Sequence, residues 1–256
     1  MMNQIKISPG GRFSLRGENF VIEVDVPPKD RCPSTSEAFT IVKSEPYLRV
    51  YEDLASGFSP SSILELGVCQ GGSYVFLDKL FNPRRMSAVE IRSQPVAPLL
   101  QYLSRTENRF VHFATSQRDG EMLKQIVLRE LADELDLVVD DASHSYEETK
   151  TSFEFLFPLL RPGGIYVIED WSWAHHPNYQ SPEARFSKRH ALSNLLFEQI
   201  MLLGSTSVIS EIRVWRFLYL IHKAKSAVRR TDVSQNLENG SIFDQILSRG
   251  RKWSLI

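Results

Sequence analysis

The 256-residue sequence has only two cysteines, Cys32 and Cys69, and they lie far apart in the chain. It therefore has neither a disulfide framework nor a cysteine-rich zinc site, and any metal must be held by oxygen and nitrogen ligands. No segment approaches the roughly 18 uninterrupted apolar residues of a membrane span. The first residues also lack the apolar stretch of a secretory signal. We therefore expect a cytoplasmic protein with no membrane partner.

An excess of charge of one sign is also missing. Thirty Lys and Arg residues stand against 31 Asp and Glu residues, which gives a net charge of -1. This balance does not favour a nucleic-acid partner. We interpret the basic residues between Lys223 and Lys252 as a solvated face, with RNA or a phosphorylated acceptor as the less favoured alternative. Whether the chain forms a homo-oligomer is left open.

Composition divides the chain into three regions. Residues 1–36 form an N-terminal extension rich in proline, glycine and charge, with one convincing strand over residues 20–26. Residues 37–223 form the main domain, and residues 224–256 form a C-terminal tail with little structural pattern. Apolar spacing predicts helical turns from residue 37 to residue 54, which Pro46 interrupts.

From residue 61 onward, short apolar strands alternate with helices of about 10 to 15 residues. This alternation predicts right-handed βαβ units and a doubly wound, mostly parallel sheet of the α/β class. Ser145 followed by Glu148 predicts a capping box, and Pro-Gly-Gly at residues 162–164 predicts the end of that helix. Residues 208–223 are too β-branched for a surface helix and predict one long strand or two joined strands at an antiparallel edge.

Acidic side chains and a histidine follow two neighbouring strands of the predicted sheet. Asp141 and His144 come where one strand ends, and Glu169 and Asp170 come where the next one ends. Because the carboxyl ends of parallel strands form the ligand crevice, we expect these four side chains to converge. Carboxylate oxygens select Mg²⁺ or Mn²⁺, so the pattern predicts a metal site with a base beside it. The alternative is that the acids are solvated or cap the next helix.

Residues 65–73, ELGVCQGGS, follow a buried strand and open a helix. A glycine-rich turn at this place lets backbone amides and a helix N-terminus approach a ligand. Cys69 replaces the second glycine of a dinucleotide fingerprint, and Glu65 puts negative charge where a pyrophosphate would lie, so both argue against NAD. An acid before the loop suits a cationic amino-acid group, and Glu90 suits a ribose diol.

S-adenosylmethionine contains both of these groups. We assign to it Glu65, Gly67, Gly71, Ser73 and Glu90. The alternative is that the glycines only make a tight turn and that Glu90 is a solvated residue at a strand end.

Three stretches carry a family resemblance: ILELGVCQGGS, AVEI, and VVDDASH with LLRPGGIYVIEDW. Over roughly residues 60–175 they resemble class I S-adenosylmethionine-dependent methyltransferases, many of which have glycine at the position of Cys69. More narrowly, DDASH and IED resemble the group that contains the mycinamicin-type macrolide sugar O-methyltransferases and the cephalosporin hydroxylase family. The resemblance implies a Rossmann-like fold with S-adenosylmethionine bound by the main domain.

The resemblance also assigns roles to the acidic residues. It implies that Asp141, Glu169 and Asp170 hold magnesium, with Asp141 also counted as catalytic, and that His144 serves as the base. Histidine suits that role because its usual pKa of about 6.5 leaves it largely neutral near pH 7.

Further residues receive less specific roles. The resemblance implies that Ser116 or Gln117, after the third strand, contacts adenine, with a solvated loop as the alternative. We place Asp140 in the cofactor-binding set, although strand alternation turns it away from Asp141 and a supporting or structural role is its alternative. The segment after the fifth strand is positioned as a lid. Its aromatic residues either line an acceptor pocket or pack the segment onto the domain: Trp171, Trp173, His175, His176 and Tyr179.

Three functions remain open. The leading one is magnesium-dependent methyl transfer to a hydroxyl of a small molecule, a sugar or another natural-product scaffold. The second is a cephalosporin-hydroxylase-like oxidation, and the third is a non-catalytic S-adenosylmethionine-binding interaction module. No motif names the acceptor.

Overall fold

The computed structural model describes residues 5–24, 26 and 30–227, and the chain divides into two compact units, residues 1–116 and 117–256. The division follows Ser116, whereas the predicted boundaries at 36/37 and 223/224 remain predictions. The predicted N-terminal extension is part of the first unit. Most of the predicted tail, with its basic residues beyond position 227, lies outside the described residues.

The first unit begins with a three-stranded sheet among the described residues. Strands β1 (Arg12–Leu15), β2 (Glu18–Ile22) and β3 (Phe39–Ile41) follow the order β1-β2-β3. The first pair is antiparallel and the second is parallel. Strand β2 confirms a strand within residues 20–26. Strands β1 and β3 were not expected, because runs of four and three residues are too short to show a period.

The predicted helical turns from residue 37 are wrong at their start. Residues Phe39–Ile41 form β3, and the helix α1 is Glu45–Gly57. Pro46 lies in the first turn of α1, where a residue without an N–H forfeits no intrahelical hydrogen bond. Pro46 therefore begins the helix and does not interrupt it.

The rest of the first unit alternates strands and helices as predicted. Its elements are β4 (Ser62–Leu66), α2 (Gly72–Phe81), β5 (Arg85–Val89), α3 (Ala97–Ser104) and β6 (Arg109–His112). The strands are parallel, in the order β6-β5-β4. Ile63 and Leu64 point to opposite faces of the sheet and are both fully buried. This burial on both faces is typical of a parallel strand.

The second unit begins with α4 (Gly120–Gln125) and a π-helical turn (Ile126–Glu130). It continues with β7 (Leu135–Asp140), α5 (Tyr146–Leu159), β8 (Leu160–Glu169), α6 (Ser193–Ser205), β9 (Ile209–Val214) and β10 (Leu218–Lys223). Two short 3₁₀ turns, Trp173–His175 and Pro177–Tyr179, lie between β8 and α6. The strand order is β7-β8-β10-β9, with β10 antiparallel to both neighbours. The predicted edge segment is therefore two joined strands.

The described residues thus contain a seven-stranded, mostly parallel sheet with an antiparallel edge, besides the small N-terminal sheet. This architecture confirms the predicted α/β class. Within the described part of the chain, no helix is long and apolar enough to cross a membrane.

The predicted start of α5 at Ser145 is confirmed, but the predicted capping box and the predicted end of the helix are wrong. Ser145 is the N-cap residue, but its side chain donates to Ser143 O at 3.4 Å and makes no bond to the backbone of the helix, so the capping box is absent. At the other end, residues 162–164 lie within β8 and not in a turn. The Pro-Gly-Gly run lies at the register shift between β7 and β8. Gly163 in this run has a left-handed φ of +81°.

The side chain of Lys223 is buried, so its assignment to a solvated face is wrong. Its Nζ donates to the carbonyl oxygens of Phe157, Pro158 and Leu160 at 3.3, 2.7 and 2.7 Å. These carbonyls lie where α5 ends and have no further helical turn to accept from. Lys223 therefore caps α5 from β10.

Candidate active site

The glycine-rich loop of the first unit joins β4 to α2 through three left-handed residues. Gly67, Cys69 and Gly71 have φ angles of +86°, +49° and +84°. Glycine adopts this region without cost, whereas a residue with a Cβ does so only when surrounding bonds hold it. Cys69 thus has the left-handed backbone conformation that glycine favours, although it carries a Cβ.

Residues before β3 and in it pack against this loop. A Cβ on Gly72, the first residue of α2, would lie 2.0 Å from Thr40 O, so only glycine fits there. Ser34 Oγ donates to Gln70 O at 2.7 Å and accepts the N–H of Thr40 at 2.9 Å. The segment predicted to be an extension therefore shapes the loop. Ser73 follows Gly72 in the first turn of α2 and is half-buried.

Glu90, just after β5, binds the same loop. Its Oε2 accepts the N–H groups of Val68 and Cys69 at 3.0 and 2.9 Å, and its Oε1 accepts from Arg92 N and Nε at 3.0 and 3.1 Å. Burial alone raises the pKa of Glu90, but the hydrogen bonds from Arg92, Val68 and Cys69 outweigh it and lower the pKa below its ordinary value. Glu90 is therefore a carboxylate whose acceptor sites are occupied within the unit.

Sequence reasoning missed Arg92. Its guanidinium also donates to Cys69 O, so it bridges Glu90 and the loop. A diol that approached Glu90 would have to displace this side chain, which is half exposed. The Glu-x-Arg spacing after a strand is a pattern that could have indicated the pair.

The other predicted cofactor residues of the first unit have different surroundings. Glu65, the penultimate residue of β4, is fully buried. Ser116, which follows β6, is half-buried. Glu65 lies just before the loop, as predicted. The cofactor roles of Glu65 and Ser116 remain predictions.

Asp140 and Gln117 form a buried network inside the second unit. Gln117 Nε2, Ser152 Oγ and Tyr166 OH donate to the carboxylate of Asp140 at 3.2, 2.7 and 3.0 Å. Burial raises the pKa of Asp140 to about 7. Gln117 Oε1 accepts the N–H of Ser143 at 3.0 Å.

This network has a consequence for two predicted roles. The polar atoms of Gln117 and Asp140 bind the unit's own groups, which favours the supporting role for Asp140 over a cofactor contact. Gln117 is buried and not part of a solvated loop. Its side chain fixes the loop after β7.

Three of the four predicted strand-end side chains come together in the second unit. Ligand atoms of Asp141, His144 and Asp170 all lie within 4.8 Å of one another, and we call these three residues the metal cluster. His144 Nε2 lies 3.9 Å from Asp141 Oδ1 and 3.8 Å from Asp170 Oδ2. Their convergence confirms the expectation from strand order.

Glu169 is outside this group. It is the last residue of β8, pairs with Leu218 of β10 and is almost fully buried. Consecutive strand residues point to opposite faces, so Glu169 and Asp170 diverge unless the backbone turns between them. Asp170 leaves the strand with a φ of +53° and donates its N–H to Phe217 O at 2.7 Å. The role of Glu169 as a metal ligand remains a prediction.

His144 also has a left-handed backbone, with a φ of +55°. Such a conformation costs a non-glycine residue roughly 1–2 kcal/mol, and it persists where the surroundings determine it. The ring lies 4.5 Å from that of Trp173, and its buried Nδ1 has no hydrogen-bond partner among the described residues. The backbone conformation and the tilted contact with Trp173 therefore hold the histidine ring, and its Nε2 faces Asp141 and Asp170.

The aromatic residues after β8 pack the segment itself. Trp171 Nε1 donates to Trp215 O at 3.0 Å, and His175 Nε2 lies 2.8 Å from Ser193 Oγ. Trp173 stacks on Tyr179 with ring centroids 5.8 Å apart. These contacts favour the packing alternative for Trp171 and His175. His176 lies near Ser172 Oγ, at 3.4 Å from its Nε2.

Comparison with known families gives the class of protein. Residues 64–171 match a family model described as a methyltransferase domain. With the mostly parallel sheet and the glycine-rich loop, this match makes the matched segment similar to class I methyltransferases.

Two curated proteins and one solved structure are similar to parts of this chain. Demethylmacrocin O-methyltransferase from Streptomyces fradiae is 41% identical over 73 residues, which cover 28% of this chain and 18% of that protein. Mycinamicin VI 2''-O-methyltransferase from Micromonospora griseorubida is 46% identical over 63 residues, covering 25% and 15%. A structure of the MycE methyltransferase from the mycinamycin biosynthetic pathway, in complex with Mg and SAH, aligns with a TM-score of 0.51 and 26% identity, covering 73% of this chain and 50% of that one.

The aligned stretches thus span less than a fifth of these curated relatives and half of the MycE chain. The family-model match over residues 64–171 includes the glycine-rich loop and the acidic strand ends.

Proposed function

We propose that this protein transfers the methyl group of S-adenosylmethionine to a hydroxyl of a small molecule, with Mg²⁺ or Mn²⁺ as the metal. The observation that carries the proposal is the metal cluster at the carboxyl ends of β7 and β8 in a chain with a methyltransferase domain. Relatives named as O-methyltransferases of mycinamicin VI and of a rhamnosyl tetracenomycin-C support a sugar or natural-product acceptor.

The cofactor role falls to the first unit. The N-terminus of α2 offers donors, and Glu65 offers negative charge for the cationic amino group. Glu90 accepts the ribose hydroxyls once Arg92 has turned away. Ser73, Ser116, Gln117 and Asp140 complete the proposed set, with Gln117 and Asp140 acting through the loop that they fix.

The metal role falls to the second unit. The oxygens of Asp141 and Asp170 fit a hard divalent cation, and we retain Glu169 as the third proposed carboxylate ligand. A cation held there would stabilise the negative charge that develops on the acceptor oxygen. The chain itself orients the two carboxylates through the strand ends and through the bond from Asp170 N to Phe217 O.

His144 is the proposed base. The acceptor oxygen attacks the methyl carbon, the carbon–sulfur bond breaks as the carbon–oxygen bond forms, and the hydroxyl proton passes to His144 Nε2. S-adenosylhomocysteine leaves. General-base assistance of this kind contributes about 10²–10⁴ in rate.

One observation favours a second candidate. The nitrogen of His144 belongs to the same group as two carboxylate oxygens, and mixed histidine and carboxylate sets also hold iron in oxygenases. A cephalosporin-hydroxylase-like reaction would require O₂ and a two-electron co-substrate, with one oxygen atom entering the product and the other leaving in water or in the oxidised co-substrate. The mass of the product and its dependence on O₂ distinguish this reaction from methylation.

The test of the proposal is a screen of sugar-bearing and other hydroxyl acceptors with isotope-labelled S-adenosylmethionine, with and without Mg²⁺. We expect label transfer that EDTA abolishes and Mg²⁺ restores, and its loss in Asp141→Asn and His144→Gln. Cofactor binding measured by calorimetry without transfer to any acceptor would favour a non-catalytic binding module. Absence of binding at millimolar cofactor would overturn the proposal.

A further inference from the structure

The loop that carries His144 is held from the interior of the second unit. Gln117 Oε1 accepts the N–H of Ser143, and Asp140 fixes Gln117. Ser145 N donates to Ser143 Oγ at 3.2 Å. These bonds fix the two neighbours of His144, but the left-handed histidine between them remains unfavourable.

A second set of bonds reaches the same loop from residues 171–192, which we call the lid segment. Arg185 Nη2 donates to Ser143 O at 2.8 Å, and Arg189 Nη1 donates to Ser145 Oγ at 3.3 Å. Arg189 Nη1 also lies 3.6 Å from Glu148 Oε1, in the first turn of α5. Both chain neighbours of His144 are therefore bound to the lid segment by arginines.

The lid segment also contacts the His144 ring. Trp173 covers the ring, Tyr179 stacks on Trp173, and Phe186 packs on Tyr179 with centroids 5.3 Å apart. Phe186 is buried, and the guanidinium of Arg185 lies over it at 5.2 Å. Arg185 is thus anchored on a fixed ring, which reduces the entropy that its bond to Ser143 would otherwise cost.

We propose that Arg185 and Arg189 are positioning residues that keep the ring of His144 beside Asp141 and Asp170 for methyl transfer. The inference rests on the proposed function, since it assigns the arginines to the reaction of His144. Neither arginine need touch substrate. Each acts on a residue adjacent to the base, and together they link the packing of the lid segment to the orientation of the ring.

The test uses Arg185→Ala, Arg189→Ala and the double variant in the full chain. Lys188→Ala is the matched control, because Lys188 is an exposed cation of the same segment and its substitution removes the same charge. Three quantities are measured: kcat and KM for methyl transfer, amide exchange of a peptide spanning residues 141–147, and Mn²⁺ affinity by electron paramagnetic resonance.

We expect the double variant to lose about 10- to 100-fold in kcat, the loss that a small misplacement of a reacting group causes. The KM for S-adenosylmethionine should change less than kcat, because the bonds lost reach the loop after β7 and not the glycine-rich loop or Glu90. Amide exchange of the loop should accelerate about tenfold through local opening. Arg185→Lys should recover part of kcat, since an ammonium still donates to Ser143 O. Lys188→Ala should match the parent protein.

Loop exchange and kcat equal to those of Lys188→Ala would overturn the inference, and so would faster exchange with an unchanged kcat. If the parent protein transfers no methyl group to any acceptor, the proposed function fails. Exchange and Mn²⁺ affinity then decide the positioning role alone. Faster exchange with weaker Mn²⁺ binding supports it, and parental values overturn it.

Discussion

Arg92 forms an ion pair with the carboxylate of Glu90 and donates hydrogen bonds to it. Its Nε lies 3.1 Å from Glu90 Oε1, and its guanidinium also donates to the carbonyl of Cys69 in the glycine-rich loop. The residue proposed to bind the ribose of the cofactor is therefore already satisfied by a cation of the same unit. Cofactor binding must replace these hydrogen bonds with those of the ribose diol. Breaking the Arg92–Glu90 bonds costs free energy and so lowers the affinity for the cofactor.

The first prediction follows from that competition. Arg92→Met keeps much of the side-chain volume and removes the guanidinium, so S-adenosylmethionine should bind more tightly. A half-exposed ion pair contributes about 0–1 kcal/mol, which limits the gain to roughly fivefold. Calorimetric titration of the parent and the variant measures it. Glu90→Gln should weaken binding under the same conditions. An unchanged affinity in Arg92→Met would show that the guanidinium does not compete with the cofactor, and a weaker affinity would show that it helps to hold it.

Glu90 also predicts a dependence of stability on pH. Its pKa is lowered in the folded protein from an ordinary value of 4.5, because the hydrogen bonds from Arg92 and the loop outweigh burial. A lowered folded pKa contributes stability above the unfolded value, and that contribution is lost as the pH falls through the folded value.

Glu90→Gln should therefore lower the free energy of unfolding at neutral pH by about 1–3 kcal/mol, as expected when a buried hydrogen-bonded carboxylate is replaced. The difference should shrink as the pH falls below about 4.5. Urea unfolding of both proteins across this range measures it. A difference that does not depend on pH would mean that the carboxylate charge plays no part.

The metal cluster predicts a ranking of carboxylates. Asp141→Asn and Asp170→Asn should each weaken Mn²⁺ binding by more than the roughly 10- to 100-fold that loss of a supporting residue costs. Glu169→Gln should weaken it less, because Glu169 lies outside the cluster. Electron paramagnetic resonance measures the affinities, with the exposed Glu183→Gln as the control. A loss in Glu169→Gln equal to that in Asp170→Asn would support Glu169 as a full third ligand, and an unchanged affinity would exclude it.

The strand-end cluster could be predicted because it depends on topology alone. A polar residue after each of two adjacent parallel strands must lie at one edge of the sheet, whatever packs around it. The strands β4, β5, β7 and β8 could be located as well, because burial on both faces leaves apolar runs in the sequence.

What could not be predicted depends on distant partners. The assignment of Lys223 to a solvated face was wrong because its acceptors lie more than 60 residues away in the chain. The Ser145–Glu148 pattern matched a capping box, in which the serine side chain accepts an N–H of the helix. In the structure Ser145 Oγ instead donates to the carbonyl oxygen of Ser143. Local patterns do not contain the contacts that decide these cases.

The approach of β3 to α2 gives the last prediction. Gly72→Ala would place a carbon 2.0 Å from Thr40 O, and because that atom is backbone, β3 must move. Overpacking of this kind costs about 1–3 kcal/mol or more. The shift would also disturb the start of the helix that the proposed cofactor loop opens, so S-adenosylmethionine affinity should fall with stability.

Gly204→Ala is its matched control. Gly204 lies in α6 with nothing within 4 Å of the added carbon, so alanine should leave stability unchanged or raise it by up to about 1 kcal/mol. Urea unfolding and calorimetric titration of both variants test the pair. If Gly72→Ala were as stable as Gly204→Ala and bound the cofactor normally, the close contact between β3 and α2 would not constrain the loop. A loss of stability and affinity confined to Gly72→Ala makes the N-terminal sheet part of the cofactor-binding unit.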